Sequence, residues 1–267
     1  MEGFRHATPE EVRKIQLEIL EHTLEFCKKE GIQVFMAFGS LLGAIRHQGY
    51  IPWDDDIDLW MPRKDYEQFV SSYNLDGGTY RVSSIRQEPH FPFYFAKISH
   101  KQTLLFEQIE GKEINLGINI DLFPLDDMPI NALKGKLAIM KWHFLKKIHT
   151  IKGIALKKER AWYKNAIVIF LNIVLKMIRI ESICRKMDYV ASSFRDSQAN
   201  HVFSDGDYLV LKKSLFTKVK YVHFENLEVP IPVEFDFILT KIYGEYLNLP
   251  PEKERVTHHA YSAFIRE

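Results

Sequence analysis

Four aspartates fall within five positions, Asp54-Asp55-Asp56 and Asp58, and they run straight into Leu59-Trp60-Met61. A purely solvated acidic loop would not be tied so closely to large apolar residues. The alternation of Asp56-Ile57-Asp58-Leu59 has the period of a half-buried strand. On such a strand Asp54, Asp56 and Asp58 share one face, while Asp55 points away and Ile57 and Leu59 enter the core. Carboxylates crowded in this way repel one another. A hard divalent cation, which prefers oxygen ligands, is the most economical means of offsetting them.

Just upstream, the pattern predicts a buried strand over Gln33-Val34-Phe35-Met36-Ala37-Phe38, a tight turn at Gly39-Ser40 and a short helix from Leu41 to His47. A helix N-terminus after such a turn presents free backbone N–H groups to an anion. A Gly-Ser turn is a loose motif by itself. Coupled to the acidic run, it suggests a nucleotide whose phosphates lie between backbone amides and metal. Arg46 is close enough to contact a phosphate or to pair with the Asp strand. Lys97 is the one cation in the apolar stretch Phe93–Ser99; it either reaches a phosphate or snorkels from an edge strand.

The block Gly39-Ser40-Leu41-Leu42-Gly43, Arg46-His47, Ile51-Pro52-Trp53-Asp54-Asp55-Asp56-Ile57-Asp58 and Met61-Pro62-Arg63-Lys64-Asp65-Tyr66 closely resembles the LicD family of phosphotransferases. Its bacterial members resemble cholinephosphotransferases acting on cell-surface glycans, and fukutin and fukutin-related protein are more distant relatives. Weaker likeness continues through Tyr243-Gly244-Glu245-Tyr246 and Leu249-Pro250-Pro251-Glu252.

The resemblance implies a nucleotidyltransferase-like fold with a third acid on a neighbouring strand, matched by Asp121 in Asn119-Ile120-Asp121-Leu122-Phe123-Pro124-Leu125. It implies Mg²⁺ or Mn²⁺ on Asp54, Asp56, Asp58 and Asp121, with Asp56, Asp58 and Asp121 catalytic and Asp121 either completing the metal site or acting as general base. Gly39, Ser40, Arg46, His47, Trp53 and Lys97 would bind substrate. The implied reaction moves phosphocholine from CDP-choline, or a cargo from a similar CDP-linked donor, to a sugar hydroxyl of a lipid-linked glycan acceptor (a teichoic acid or lipopolysaccharide precursor), releasing CMP. Ribitol or glycerol phosphate transfer, nucleotidyl transfer by the same site, and a non-catalytic nucleotide-binding protein remain as alternatives. A quaternary ammonium cargo calls for an aromatic wall, for which Tyr50, Trp53 and Trp60 are the nearby candidates, unless they are core.

A net charge of +1 conceals an asymmetry: Leu133 to Lys186 carries fourteen Lys or Arg against two acids, Glu159 and Glu181, which leaves −11 on the rest of the chain. This segment reads as a basic helical insertion. It is either an ordinary solvated subdomain or a surface drawn to anionic lipid, with the stretch from Trp162 to Arg179 mixing apolar residues and cations. Nucleic acid is disfavoured, because Arg is scarce there and no aromatic strip for stacking is present. The most apolar run, Ala166 to Ile180, is broken by Asn172, Lys176 and Arg179 and falls short of the about 20 residues that span a bilayer. Cys27 and Cys184 are widely separated, which suits buried small hydrophobes in a reducing compartment. The expectation is a cytoplasmic protein with peripheral contact at the inner face of the cell membrane.

The remaining pattern predicts a capped helix from Thr8-Pro9-Glu10-Glu11 to Gly31 and another from Lys64 to Tyr73. Strands are expected at Tyr80–Ser84, Phe93–His100, Ile114–Leu122, Tyr208–Leu211, Val219–Phe224 and Leu227–Pro230, with turns at Asp76-Gly77-Gly78 and Asp205-Gly206 and a closing helix from Glu234 to Tyr246. The expected class is α+β, a mixed sheet with flanking helices. Residues 1–130 would form the catalytic core, 131–200 the insertion, and 201–267 the part completing the core, ending in a tail with His258 and His259.

Overall fold

The computed structural model describes residues 3–75, 77–109, 112–130, 132–153, 162–194, 199–204, 209–257 and 261–267. The turn residues Asp76 and Asp205-Gly206, and also Lys157, Lys158, His258 and His259, lie outside the described residues.

The chain begins with β1 (Phe4–His6) and α1 (Pro9–Glu30). Helix α1 starts where the sequence demands: the Glu11 amide donates to the Thr8 hydroxyl and the Thr8 amide donates to the Glu11 carboxylate, the reciprocal pair of a capping box. It stops at Gly31, whose φ of 66° costs glycine little. The short strand β2 (Phe35–Met36) then leads into α2 (Phe38–Arg46), β3 (Asp58–Pro62) and α3 (Arg63–Ser72). Strands β4 (Tyr80–Ser83), β5 (Ala96–His100), β6 (Leu104–Ile109), β7 (Lys112–Asn115) and β8 (Asn119–Asp127) follow. Among the described residues, three helices, α4 (Leu133–Gly153), α5 (Trp162–Leu175) and α6 (Ile180–Ser192), separate β8 from β9 (His201–Phe203) and β10 (Val210–Lys212). The hairpin β11 (Val219–Phe224) and β12 (Leu227–Pro232), helix α7 (Phe235–Tyr243) and β13 (Tyr261–Arg266) complete the chain.

The class is the expected α+β. The main sheet is built on the long strand β8, which pairs in parallel with β3, Asp58 opposite Asp121. Its other edge meets β5 near the start and β9 near the end, both antiparallel. Strand β2 extends the sheet beyond β3, β4 extends it beyond β5, and β10 beyond β9. The core against this sheet contains Phe35, Leu59, Trp60, Tyr66, Phe69 and Leu122, all nearly inaccessible. A second, antiparallel sheet in the order β1-β13-β6-β7 was not foreseen. Its strand β13 lies in what the sequence suggests is a tail, because its pairing with β1 and β6 is remote in sequence.

The strand expected at Ile114–Leu122 is broken, its start in β7 and its end in β8, and two expectations at and just before the acidic run also fail. The acidic run is not a strand: β3 begins only at Asp58. Ahead of it, the Asp54 amide donates to the Ile51 carbonyl at 2.8 Å, closing a turn with Pro52 in the position that favours it. Gly39-Ser40 is likewise no separate turn but part of the first turn of α2.

Gly43 is required by packing. A Cβ there would lie 2.4 Å from the Gly49 carbonyl oxygen, because the loop after α2 folds back onto the helix. Gly43→Ala must push that backbone away, at an expected cost of about 1–3 kcal/mol, measurable by urea denaturation as a lowered midpoint with an unchanged slope.

Candidate active site

The site is assembled where β2 turns into α2. Phe38 adopts φ 40°, in a region that bulky residues seldom occupy. It is held there by its edge-on contacts with Trp60 and Phe123, at 4.8 and 5.3 Å between ring centroids. The Ala37 amide donates to the Asp58 carbonyl at 2.9 Å, and the Asp58 amide donates to the Ser40 hydroxyl at 2.9 Å. Ser40 is therefore a strut between α2 and the first residue of β3. Gly39 lies against the Asp54 carboxylate, since a Cβ there would sit 2.6 Å from Asp54 Oδ2.

Asp54, Asp55 and Asp56 are all half-buried and bring one carboxylate oxygen each within 4.8 Å of one another. The expectation that Asp55 points away is thus corrected: in an irregular loop successive side chains can converge, which strict strand alternation forbids. The loop is clamped from α1, where Arg13 donates to the Asp54 carbonyl at 2.7 Å and to the Pro52 carbonyl at 3.0 Å. Gln16 donates to the carbonyls of Asp55 (3.0 Å) and Asn119 (3.3 Å) and accepts from the Tyr50 hydroxyl at 3.0 Å. Their i, i+3 spacing puts both on one helix face, but the sequence gives no hint of their target.

Asp58 and Asp121 are direct neighbours across β3 and β8. The Asp58 carboxyl is pushed well above the usual carboxylate range, first by burial, then by the negative charges of Asp56, Asp121 and Asp54, with Lys97 opposing. Four of the predicted acids therefore share one field.

Lys97 is on an interior strand, between β4 and β8, so it is no snorkelling edge residue. Its ammonium donates to Asp121 at 2.7 Å and to the Asn119 side-chain oxygen at 3.0 Å, lies 3.5 Å from Glu107, and sits over the Phe93 and Phe95 rings. Burial works against its charge, but Asp121 and Glu107 outweigh that and raise its pKa.

Arg46 donates to the carbonyls of Tyr246 (2.8 Å) and Asn248 (3.2 Å), binding the segment after α7 to α2 rather than pairing with the acids. His47 follows it at the helix end; its pKa is lowered by burial and by Arg46. Trp53 meets His47 edge-on and carries the Arg255 guanidinium over its ring at 5.5 Å. Of the three aromatic candidates, Tyr50 (7% exposed) and Trp60 (0%) are core, and only Trp53 is half-buried.

Tyr243, at the end of α7 and 41% exposed, is a residue that the sequence reading does not assign to the site. Desolvation of its hydroxyl and then the charges of Asp58, Asp54 and Asp56 raise its pKa, which puts it in the field of the acids. The Tyr243-Gly244-Glu245-Tyr246 likeness was the available signal.

Comparison with known proteins agrees with this geometry. Residues 31–136, which span β2 through β8 and hold every acid of the site, match the nucleotidyltransferase domain of LicD, fukutin and fukutin-related protein. Over 276 aligned residues, covering 97% of this chain and 98% of the relative, the sequence is 28% identical to the lipopolysaccharide cholinephosphotransferase LicD of Haemophilus influenzae. A shorter likeness, 40% identity over 68 residues, covers 24% of this chain and 21% of an uncharacterized protein of Rickettsia typhi. The acids, the α2 turn and the strands β3 and β8 that carry them thus lie within the segment that is similar to the LicD nucleotidyltransferase domain.

Proposed function

We propose that this protein transfers phosphocholine from CDP-choline to a sugar hydroxyl of a lipid-linked glycan precursor, of lipopolysaccharide or teichoic acid type, and releases CMP. The observation that carries this reading is the gathering of Asp54, Asp55 and Asp56 beside the Asp58–Asp121 pair, in a chain alike over its whole length to a cholinephosphotransferase.

The donor set fits Mg²⁺ or Mn²⁺: it is all oxygen, strongly negative and partly buried, and like charges raise the proton affinity of Asp58. Asp54, Asp56, Asp58 and Asp121 would hold the ion, and Asp55 joins them on geometric grounds. When bound, the ion neutralises the diphosphate and the departing CMP.

The protein's own groups do the rest. Lys97 fixes the Asp121 carboxylate through a buried ion pair, so Asp121 presents a defined oxygen. A sugar hydroxyl attacks the phosphorus that bears choline, the pyrophosphate P–O bond breaks, the bridging oxygen leaves with CMP, and a site carboxylate takes the hydroxyl proton. Trp53 is suited to contact the donor at the rim of the site.

The test is CMP release from CDP-choline, CDP-glycerol and CDP-ribitol in the presence of Mg²⁺ and a lipid-linked glycan precursor. Acceptor-dependent release from CDP-choline above the other two is expected; preference for another donor would overturn the choline assignment. In the same assay Trp53→Leu should raise KM for CDP-choline about tenfold, the scale of one lost cation–π contact. CMP inhibition should change much less. Equal weakening of both would make Trp53 a packing residue only.

A further inference from the structure

Helix α4 has two apolar faces. One carries Trp142 and Leu145 into a core shared with Ile183 and Met187 of α6. At 3.6 residues per turn, Leu133, Leu137, Met140 and Phe144 fall on the side opposite Trp142, and they are 73%, 54%, 67% and 64% exposed. Exposed lysines border this stripe, Lys136 and Lys147 on one flank and Lys134 and Lys141 on the other.

Helix α5 repeats the arrangement. Val168 is buried, whereas Trp162, Phe170 and Ile173, on the far side of the helix, are more than half exposed. The stripe continues past the helix end to Met177, beside Lys176 and Arg179. A helix face this apolar and this exposed signals an interaction surface.

We propose that the exposed apolar faces of α4 and α5 dock in the plane of an anionic lipid bilayer. The charge selects this occupant. With fourteen cations against two acids between Leu133 and Lys186, a second copy of the same surface would be repelled, whereas anionic headgroups would meet the flanking lysines as the apolar stripe enters the acyl boundary. No helix among the described residues is long and apolar enough to cross a membrane, so the contact is interfacial.

The full-length protein should float with vesicles of phosphatidylglycerol and phosphatidylcholine, and not with phosphatidylcholine alone. Binding should fall at least about tenfold between about 50 mM and about 0.5 M salt. Trp162 fluorescence should shift to the blue on binding, a shift lost in Trp162→Phe. Two surface variants test the two halves of the surface: Lys136→Gln/Lys141→Gln/Lys147→Gln, and Met140→Ser/Phe144→Ser/Phe170→Ser. Each should lose at least about tenfold in vesicle affinity and keep CMP release with a water-soluble acceptor. Three results would overturn the proposal: no binding to anionic vesicles at low salt, equal binding to neutral ones, or a lipid-free dimer that the serine variant dissociates. All are independent of donor identity, so failure of the phosphocholine reading would leave this test intact.

Discussion

Asp58→Asn should abolish turnover while the fold survives. If the site holds a divalent ion and a transferring phosphoryl group as proposed, removing one charge costs about 4 kcal/mol of transition-state stabilisation, roughly a thousandfold in rate. The folded apoprotein should not suffer, because the half-buried Asp58 lies in the field of Asp56, Asp121 and Asp54 and its ionised form is disfavoured there. Its contacts with Ser40 and Ala37 run through the backbone and are retained by Asn. The thermal midpoint without metal should therefore stay level or rise, and the Mg²⁺-induced rise expected of the wild type should vanish. Wild-type-like activity would sink the assignment. Asp56→Asn should behave in the same way. Because Asp55 converges on the same point, Asp55→Asn should also weaken Mg²⁺ binding, which strand alternation would not have suggested.

The second large effect concerns stability. Arg63, at the start of α3, is 4% exposed. It makes a two-pronged pair with Asp126 at 2.6 and 2.8 Å and reaches Asp188 of α6 at 2.9 Å. Arg86 joins Asp188 at 2.8 Å and Glu67 at 2.9 Å. This network ties the inserted helices to the sheet beside β8. Arg63→Met would leave Asp126 buried without its cation and Asp188 with Arg86 alone, and a cost of about 3–5 kcal/mol is expected in urea denaturation. Arg63→Met combined with Asp126→Leu and Asp188→Leu should recover much of it, since well-packed apolar groups can replace a buried ionic set at little cost. Failure of the triple variant to recover would mean that the ions also specify how α6 docks.

The residues from Gly39 to Tyr66 carried the family resemblance by themselves; Asp54, Asp56 and Asp58 stood out as a crowded acidic face, and Asp121 was added through the resemblance. Such information is local: a dense carboxylate run demands a counter-charge wherever it folds, and capping signals such as Thr8 and Gly31 act within a few residues. The lysine excess of 133–186 and the apolar residues among it were equally visible. Tertiary structure alone decided the rest. Asp55 turned inward because the run became a clamped loop, and that clamp comes from Arg13 and Gln16, some forty positions earlier in the chain. Lys97 became the partner of Asp121 because β5 is interior and β8 lies beside it. Tyr50 and Trp60 proved to be core, whereas Leu133, Met140 and Phe144 stayed exposed, since burial depends on which face of an element finds a neighbour. Periodicity reveals that a face is apolar; only packing shows whether anything covers it.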